Sequence, residues 1–215
     1  MNKARITSTT VSASVRTRVK VPIHLRSSHQ RFEAEMVTFS GLCDTGEHLA
    51  IVFEPLSSSP HVRVHSECLT GDVFGSALCD CGEQLDEAIT MLGKLGGILL
   101  YLRQEGRGIG LYNKLDAYDL QISQGLDTYA ANQAINFPED MRDFRVAAEM
   151  LQALGIFEIS LVTNNPDKIS QLERSGISVK HVLQTGVFVN STNHRYLRTK
   201  IDKHHHTINL GEELQ

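Results

Sequence analysis

The sequence predicts an α/β protein, a three-layer α-β-α domain with a mixed sheet, preceded by a short-stranded antiparallel β region. Three observations predict it. Apolar residues alternate at period two through the first third of the chain. Strand-like and helix-like segments alternate from about residue 82 to 182. Of the 215 residues, 41% are hydrophobic and 21% charged, enough apolar material for a real core. Residues 1–16, polar and rich in Ser and Thr, are expected to be a disordered tail. Residues 17–203 are expected to form one continuous domain, with 204–215 a flexible end.

In the first third, Val19, Val21 and Ile23 recur at period two, then Phe32, Ala34 and Met36, then the run Leu49 to Phe53. These read as strands, antiparallel and joined by turns such as Asp44 to Glu47. The segment Pro55 to Pro60 breaks the series. Leu85, Ala88, Ile89 and Leu92 then have helical spacing, and Gly96-Gly97 stops that helix. Ile98 to Leu102 reads as a buried strand and Leu111 to Ile122 as a helix. Val146 to Leu154 is helical and ends at Gly155. Ile159, Leu161 and Val162 form a strand, Pro166 opens a helix at a position that suits proline, and Ile177 to Val182 is a strand. Tyr196 to Lys203 is read as a last helix.

Charge and targeting exclude several classes. Lys and Arg number 21 against 25 Asp and Glu, a formal net charge of −4, which argues against non-specific nucleic-acid binding. Met1 to Ser14 lacks the apolar core of a signal peptide. An apolar run such as Ile98 to Leu102 is far short of the roughly 20 residues that span a bilayer. The expected compartment is the cytoplasm, with no membrane and no nucleic acid as partner, and thiols kept reduced.

Four cysteines are too few for a disulfide framework at this length. Cys68, Cys79 and Cys81 follow the spacing Cys-x10-Cys-x-Cys, and thiolates are soft ligands that suit zinc. Three protein ligands leave a coordination position for water, whereas Cys43 or His65 as a fourth would close a structural site. Asp80, between the two near cysteines, reads as a turn residue or a partner of a ligand. Arg63-Val64-His65-Ser66-Glu67 runs into Cys68. As a strand it sets Arg63, His65 and Glu67 on one face, either a polar pocket wall or a solvated surface.

The strand Ile98 to Leu102 feeds Arg103-Gln104-Glu105-Gly106-Arg107-Gly108-Ile109-Gly110 and then a helix. A glycine-rich turn at a helix N-terminus suits an anion, and two arginines suit a phosphate chain. The glycine spacing matches neither a dinucleotide fingerprint nor a P-loop, and a plain structural turn is the alternative.

Taken in order, Arg63 to Asp72, Cys79-Asp80-Cys81-Gly82, Arg103 to Leu111, Thr163-Asn164-Asn165-Pro166 and Arg195 to Lys200 resemble GTP cyclohydrolase II, an enzyme of riboflavin synthesis. The resemblance covers about residues 60 to 200. It implies zinc on Cys68, Cys79 and Cys81, supplying hydroxide for attack on C8 of the guanine of GTP, with the carbon lost as formate. It further implies pyrophosphate release assisted by Mg²⁺, a diaminopyrimidine product and a homodimer. By matching position, Arg63, Val64, His65, Ser66, Glu67, Gln84, Glu105, Gly106, Arg107, Thr128, Thr163 and Lys168 are implied to contact GTP, and Tyr118 to assist at the opened ring. Lys114 stands one helical turn before Tyr118, which could otherwise be a surface residue.

Asp140 and Arg142 match the family's proton acceptor and its nucleophile on the α-phosphate. An arginine is essentially always protonated and has no lone pair to donate, so charge stabilisation, with water as nucleophile, is the alternative for Arg142. Asp140 or Asp143 could instead cap the following helix. Two segments depart from the family. Ser28-His29-Gln30-Arg31-Phe32 replaces a glycine-containing turn, and His204-His205-His206 replaces the common ending. These departures leave open a diverged paralogue that stops at a formylated pyrimidine or acts in another pathway. A non-enzymatic, zinc-stabilised nucleotide-binding protein is a further alternative.

Overall fold

The computed structural model describes residues 12–138 and 140–193. Seven strands, β1 (Ser14–His24), β2 (Arg31–Ser40), β3 (Leu49–Phe53), β4 (His61–Ser66), β5 (Gly97–Leu102), β6 (Glu158–Val162) and β7 (Ser178–Leu183), form one sheet in the order β1-β2-β3-β5-β4-β6-β7. Strands β1, β2, β3 and β5 pair antiparallel, while β5, β4, β6 and β7 pair parallel. The sheet is therefore mixed, as expected. The antiparallel strands extend the same sheet edge to edge rather than forming a separate layer, and β1 and β2 are long, at 11 and 10 residues. Strand β1 begins at Ser14, ahead of the expected boundary at residue 17, because Val15 packs onto the core.

Period-two alternation sends side chains to two faces. On one face Val37, Ala50, Val52, Val62, Val64, Ile98, Leu100 and Leu102 meet α5 (Arg145–Ala153) and α6 (Pro166–Arg174) through Val146, Met150, Leu151 and Leu172. On the other, Ala34, Ile51, Phe53 and Leu99 meet α2 (Cys81–Leu95) through Ala88, Ile89 and Leu92. Helices thus cover both faces, giving three layers. Helix α6 starts as its sequence predicts, with Pro166 in the first turn and the Asn165 side chain accepting from the Asp167 amide at 2.9 Å. Helix α2 stops at Gly96, whose φ of +81° favours glycine and where a Cβ would lie 1.9 Å from the Pro55 carbonyl oxygen.

Two helices were not legible in the sequence. The four-residue α1 (Leu69–Asp72) follows Cys68, and α4 (Thr128–Ala134) is capped by Asp127, which accepts from the Ala130 amide. Helix α4 packs on α3 (Leu111–Gln124), beyond the carboxyl ends of the strands. The expected helix Tyr196 to Lys203, the segment Arg195 to Lys200 and the His204-His205-His206 triplet lie outside the described residues. No helix among the described residues is long and apolar enough to cross a membrane.

The topology places the site. From β4 the chain crosses by α2 to β5 on one side; from β5 it crosses by α5 to β6 on the other side. The crossovers part at β4, and such a switch point opens a crevice at the carboxyl ends of parallel strands. Ser66, Leu102 and Val162, the last residues of β4, β5 and β6, each lead directly into a segment singled out in the sequence.

Candidate active site

The segment after β4 carries the first cysteine of a cluster. Sγ atoms of Cys68, Cys79 and Cys81 lie within 4.8 Å of one another, those of Cys68 and Cys79 being 3.7 Å apart. Cys68 precedes α1, and Cys81 opens α2 after the fully buried Asp80. Cys43 is not part of the cluster. It is exposed between β2 and β3, and its amide donates to Glu149 of α5 at 2.7 Å. His65 is also not a member, since its Nε2 donates to Asp72 at 3.1 Å. Among the described residues the cluster therefore has three members, all cysteines.

Packing holds that cluster tightly. A Cβ on Gly71 would stand 2.9 Å from the Cys79 sulfur, 3.0 Å from the Cys81 Cβ and 3.2 Å from the Cys68 sulfur. Gly71→Ala is therefore expected to spread the thiols and, if they hold a metal, to speed its loss by about tenfold, measured by metal retention on dialysis. Unchanged retention would show that the loop yields at no cost.

Electrostatics favour an ionised ligand. Hydrogen bonds from the Cys79 and Cys81 thiols, together with the Lys114 ammonium, hold Cys68 far below the usual thiol range. Hydrogen bonding to that same Cys68 thiolate raises Cys79. Lys114 Nζ donates to Cys68 Sγ at 3.1 Å, Thr70 Oγ1 at 2.9 Å and Glu105 Oε1 at 2.8 Å. Burial pushes the Tyr118 phenol up to about 12 even though Lys114 stands 5.5 Å from its ring centre, so at neutral pH it keeps its proton.

Asp72, at the end of α1, gathers the neighbouring wall. Its carboxylate accepts from His65 Nε2, the Cys68 amide at 3.0 Å and the Tyr101 hydroxyl at 2.8 Å, and the His65 and Tyr101 rings stack. Burial lowers the His65 pKa although Asp72 opposes it, and burial followed by Asp72 raises Tyr101. Arg63 is buried too. It donates to Gln84 Oε1 at 2.9 Å and to the Val162 carbonyl at 3.2 Å, while Gln84 donates to Asp80 at 2.7 Å. The strand face read as pocket wall or solvated surface is thus a pocket wall.

The turn after β5 is a 3₁₀ turn over Glu105–Gly108, with Gly106 and Arg107 both left-handed at φ +61° and +59°. Arg107 carries a Cβ in that conformation, a strain usual at functional turns. The Glu105 carboxylate accepts from Leu69 N at 2.6 Å, Gly106 N at 2.7 Å and Lys114 Nζ, so its bonds go to the protein itself. The Arg107 carbonyl accepts from Met141 N at 2.9 Å, which joins this turn to the loop of Asp140 and Arg142.

In that loop Arg142 Nε donates to both oxygens of Asp140, at 2.9 and 3.1 Å. Burial alone would raise Asp140, but hydrogen bonds from Arg142 and the charges of Arg142 and Arg107 leave it below the ordinary carboxylate range. Phe144 occupies the N-cap position of α5 without a side-chain cap, and Asp143 Oδ1 accepts from the Arg145 amide, so the cap-like contact falls to Asp143 and not Asp140.

One cleft at the carboxyl ends of the strands is lined by Arg63, His65, Ser66, Glu67, Cys68, Cys79, Cys81, Gln84, Glu105, Gly106, Arg107, Tyr118, Thr128, Arg142, Thr163 and Lys168. Two expected site residues are absent from the lining. Val64 points into the core, and only its carbonyl takes part, accepting from Lys168 Nζ at 2.6 Å. Asp140 stands behind Arg142. Gln104, Lys114, Gln121, Asn132, Asn164, Asn165 and Thr185 also line the cleft without having been expected to bind. Thr185 belongs to the segment after β7, held by reciprocal bonds with Asn164 and by Glu87 at 2.6 Å, and no local pattern marks it.

A cysteine cluster, a glycine-arginine turn and buried polar walls at the switch point in the parallel part of a mixed sheet define an α/β enzyme with a candidate metal centre. The GTP cyclohydrolase II family model matches residues 18–184. GTP cyclohydrolase-2 of Psychromonas ingrahamii is 53% identical over 196 residues, covering 89% of this chain and 98% of that protein. GTP cyclohydrolase-2 of Vibrio cholerae is 51% identical over 201 residues, covering 92% of this chain and all of that protein. The riboflavin biosynthesis protein RibBA of Bacillus cereus is 45% identical over 194 residues, covering 89% of this chain and 48% of that protein. The chain belongs to the GTP cyclohydrolase II family, enzymes of riboflavin biosynthesis.

Proposed function

We propose that the protein is a zinc-dependent GTP cyclohydrolase II. It opens the imidazole ring of GTP, releases formate and pyrophosphate, and leaves 2,5-diamino-6-hydroxy-4-(5-phosphoribosylamino)pyrimidine. The observation that carries this reading is the shared cleft, which joins a cluster of three cysteine sulfurs to an arginine-bearing turn. A homodimer acting in the cytoplasm, with Mg²⁺ on the triphosphate, completes the reading.

The residues present fit zinc. Three soft ligands stand close together, one is ionised, and Gly71 leaves no bulk against the sulfurs. When bound there, zinc supplies hydroxide at neutral pH by lowering the pKa of water. The remaining chemistry falls to the chain. Arg63 Nε, Ser66 Oγ and Gln104 Oε1 are buried on the lining without a hydrogen-bond partner, and a polar ring such as guanine offers complementary atoms. Arg107, Arg142 and Lys168 supply positive charge for the phosphates, which explains how a chain of net charge −4 accepts a triphosphate. Tyr118 lines the same cleft and keeps its proton at neutral pH, which supports its acting as a donor at the ring being opened.

The fork between Arg142 and Asp140 favours a charged guanidinium that stabilises the phosphate, with water as the nucleophile and Asp140 orienting Arg142 from behind the cleft wall. Arg142→Lys keeps the charge but loses the fork, and is expected to slow pyrophosphate release by about 10²-fold. A rate within a factor of two of the parent, read by phosphate-coupled assay, would contradict that role. The test of the whole reading is purified, zinc-loaded protein with GTP and Mg²⁺, assayed together for formate, pyrophosphate and pyrimidine. GTP left unchanged would overturn it. A formylated pyrimidine by mass would replace it with the truncated reaction, which the cleft position of Tyr118 argues against.

A further inference from the structure

Lys114 is buried, 8% exposed, and its ammonium has three N–H donors, all of them engaged by Cys68, Thr70 and Glu105. With every proton used inside the protein, this cation does not bind substrate. Glu105 is equally committed. One oxygen holds Lys114 and the Gly106 amide, and the other holds the amide of Leu69, the residue after Cys68. The two side chains form an oriented pair whose positive end faces the sulfur of a candidate ligand.

We propose that Lys114, fixed by Glu105, is a positioning residue for the metal, setting the direction of the Cys68 sulfur and restraining its electron donation to the bound ion. This rests on the zinc reading above and deepens it. Three thiolates around a divalent cation carry a net charge of −1, and an ammonium on one sulfur offsets it where water is scarce. The hydrogen bond also draws charge off the sulfur, which keeps the ion a stronger Lewis acid than three unmodified thiolates would leave it. Glu105 therefore acts through protein contacts, not through its carboxylate on the nucleotide, and it ties the Gly106–Arg107 turn to the metal loop.

The experiment compares wild-type protein with Lys114→Met after cobalt replacement, reading the sulfur-to-cobalt charge-transfer band and, with zinc, the rate of extraction by a chelator. The expected result is a band moved to longer wavelength and extraction at least about tenfold faster. A purely structural lysine would leave the band where it was, and an unchanged band with unchanged extraction overturns the proposal. If Lys114→Met does not fold, Glu105→Gln carries the test: extraction about tenfold faster supports the proposal, and an unchanged rate overturns it. Wild-type protein that takes up no cobalt or shows no charge-transfer band would remove the zinc reading, and this inference with it, which separates the two failures.

Discussion

On the proposed zinc-dependent reaction, Cys79→Ser is expected to lose the metal and to open the guanine ring at least about 10³-fold more slowly than the parent. The buried Cys79 sulfur sits 3.7 Å from that of Cys68, and no described His, Asp or Glu joins the group to replace it. Serine offers a harder oxygen on a shorter bond, so a three-ligand site becomes a two-ligand site with a weak third. Without acidified water the barrier to hydrolysis rises by several kcal/mol, and each 1.36 kcal/mol is about tenfold in rate. Formate release and metal content are measured together. Pyrophosphate release, which the reading assigns to Asp140 and Arg142 on another loop, reports whether the nucleotide cleft survives. Parent-like formate release from zinc-free protein would show that the thiolates are not the hydrolytic centre.

Phe144→Ala is expected to destabilise the fold by about 3–5 kcal/mol, the usual cost of emptying a buried aromatic site. Phe144 is 1% exposed in the larger core cluster, so little can collapse into the space. Against a total stability of roughly 5–15 kcal/mol that is a large fraction. The ring does a second job. Arg142 and Lys168, both lining the cleft, stand 5.3 and 5.2 Å from its centre, an arrangement in which a cation is held over an aromatic face. Phe144→Leu restores most of the volume without the face. It is expected to recover most of the stability in urea unfolding while keeping a raised KM for GTP. Equal recovery of both would reduce Phe144 to packing alone.

Much of the fold was legible because its signals are local. Alternating Val19, Val21 and Ile23 marked β1, Phe32, Ala34 and Met36 marked β2, Gly96 marked the end of α2, and Pro166 the start of α6. Helix α4 was not legible, since its sequence Thr128 to Ala134 has no apolar stripe and its packing against α3 holds it in place. The site shows the same division. Spacing picked out the three thiols but left Cys43 and His65 as possible fourth ligands, and only their positions removed them. Val64 sat inside the most informative motif, yet the pleat that turns Arg63 and His65 to the cleft turns Val64 to the core.

What the sequence by itself determined is the family and the candidate chemistry: three cysteines at a recognisable spacing and a glycine-arginine turn at the end of a strand. Only the tertiary structure decided which groups work together. Lys114 and Cys68 are 46 positions apart, and Thr185 reaches Glu87 across 98. Such pairs leave no periodicity in a single chain, because hydrogen bonds and charges act over a few ångströms of space. It is the crossover at β4 that brings the ends of four parallel strands within that reach.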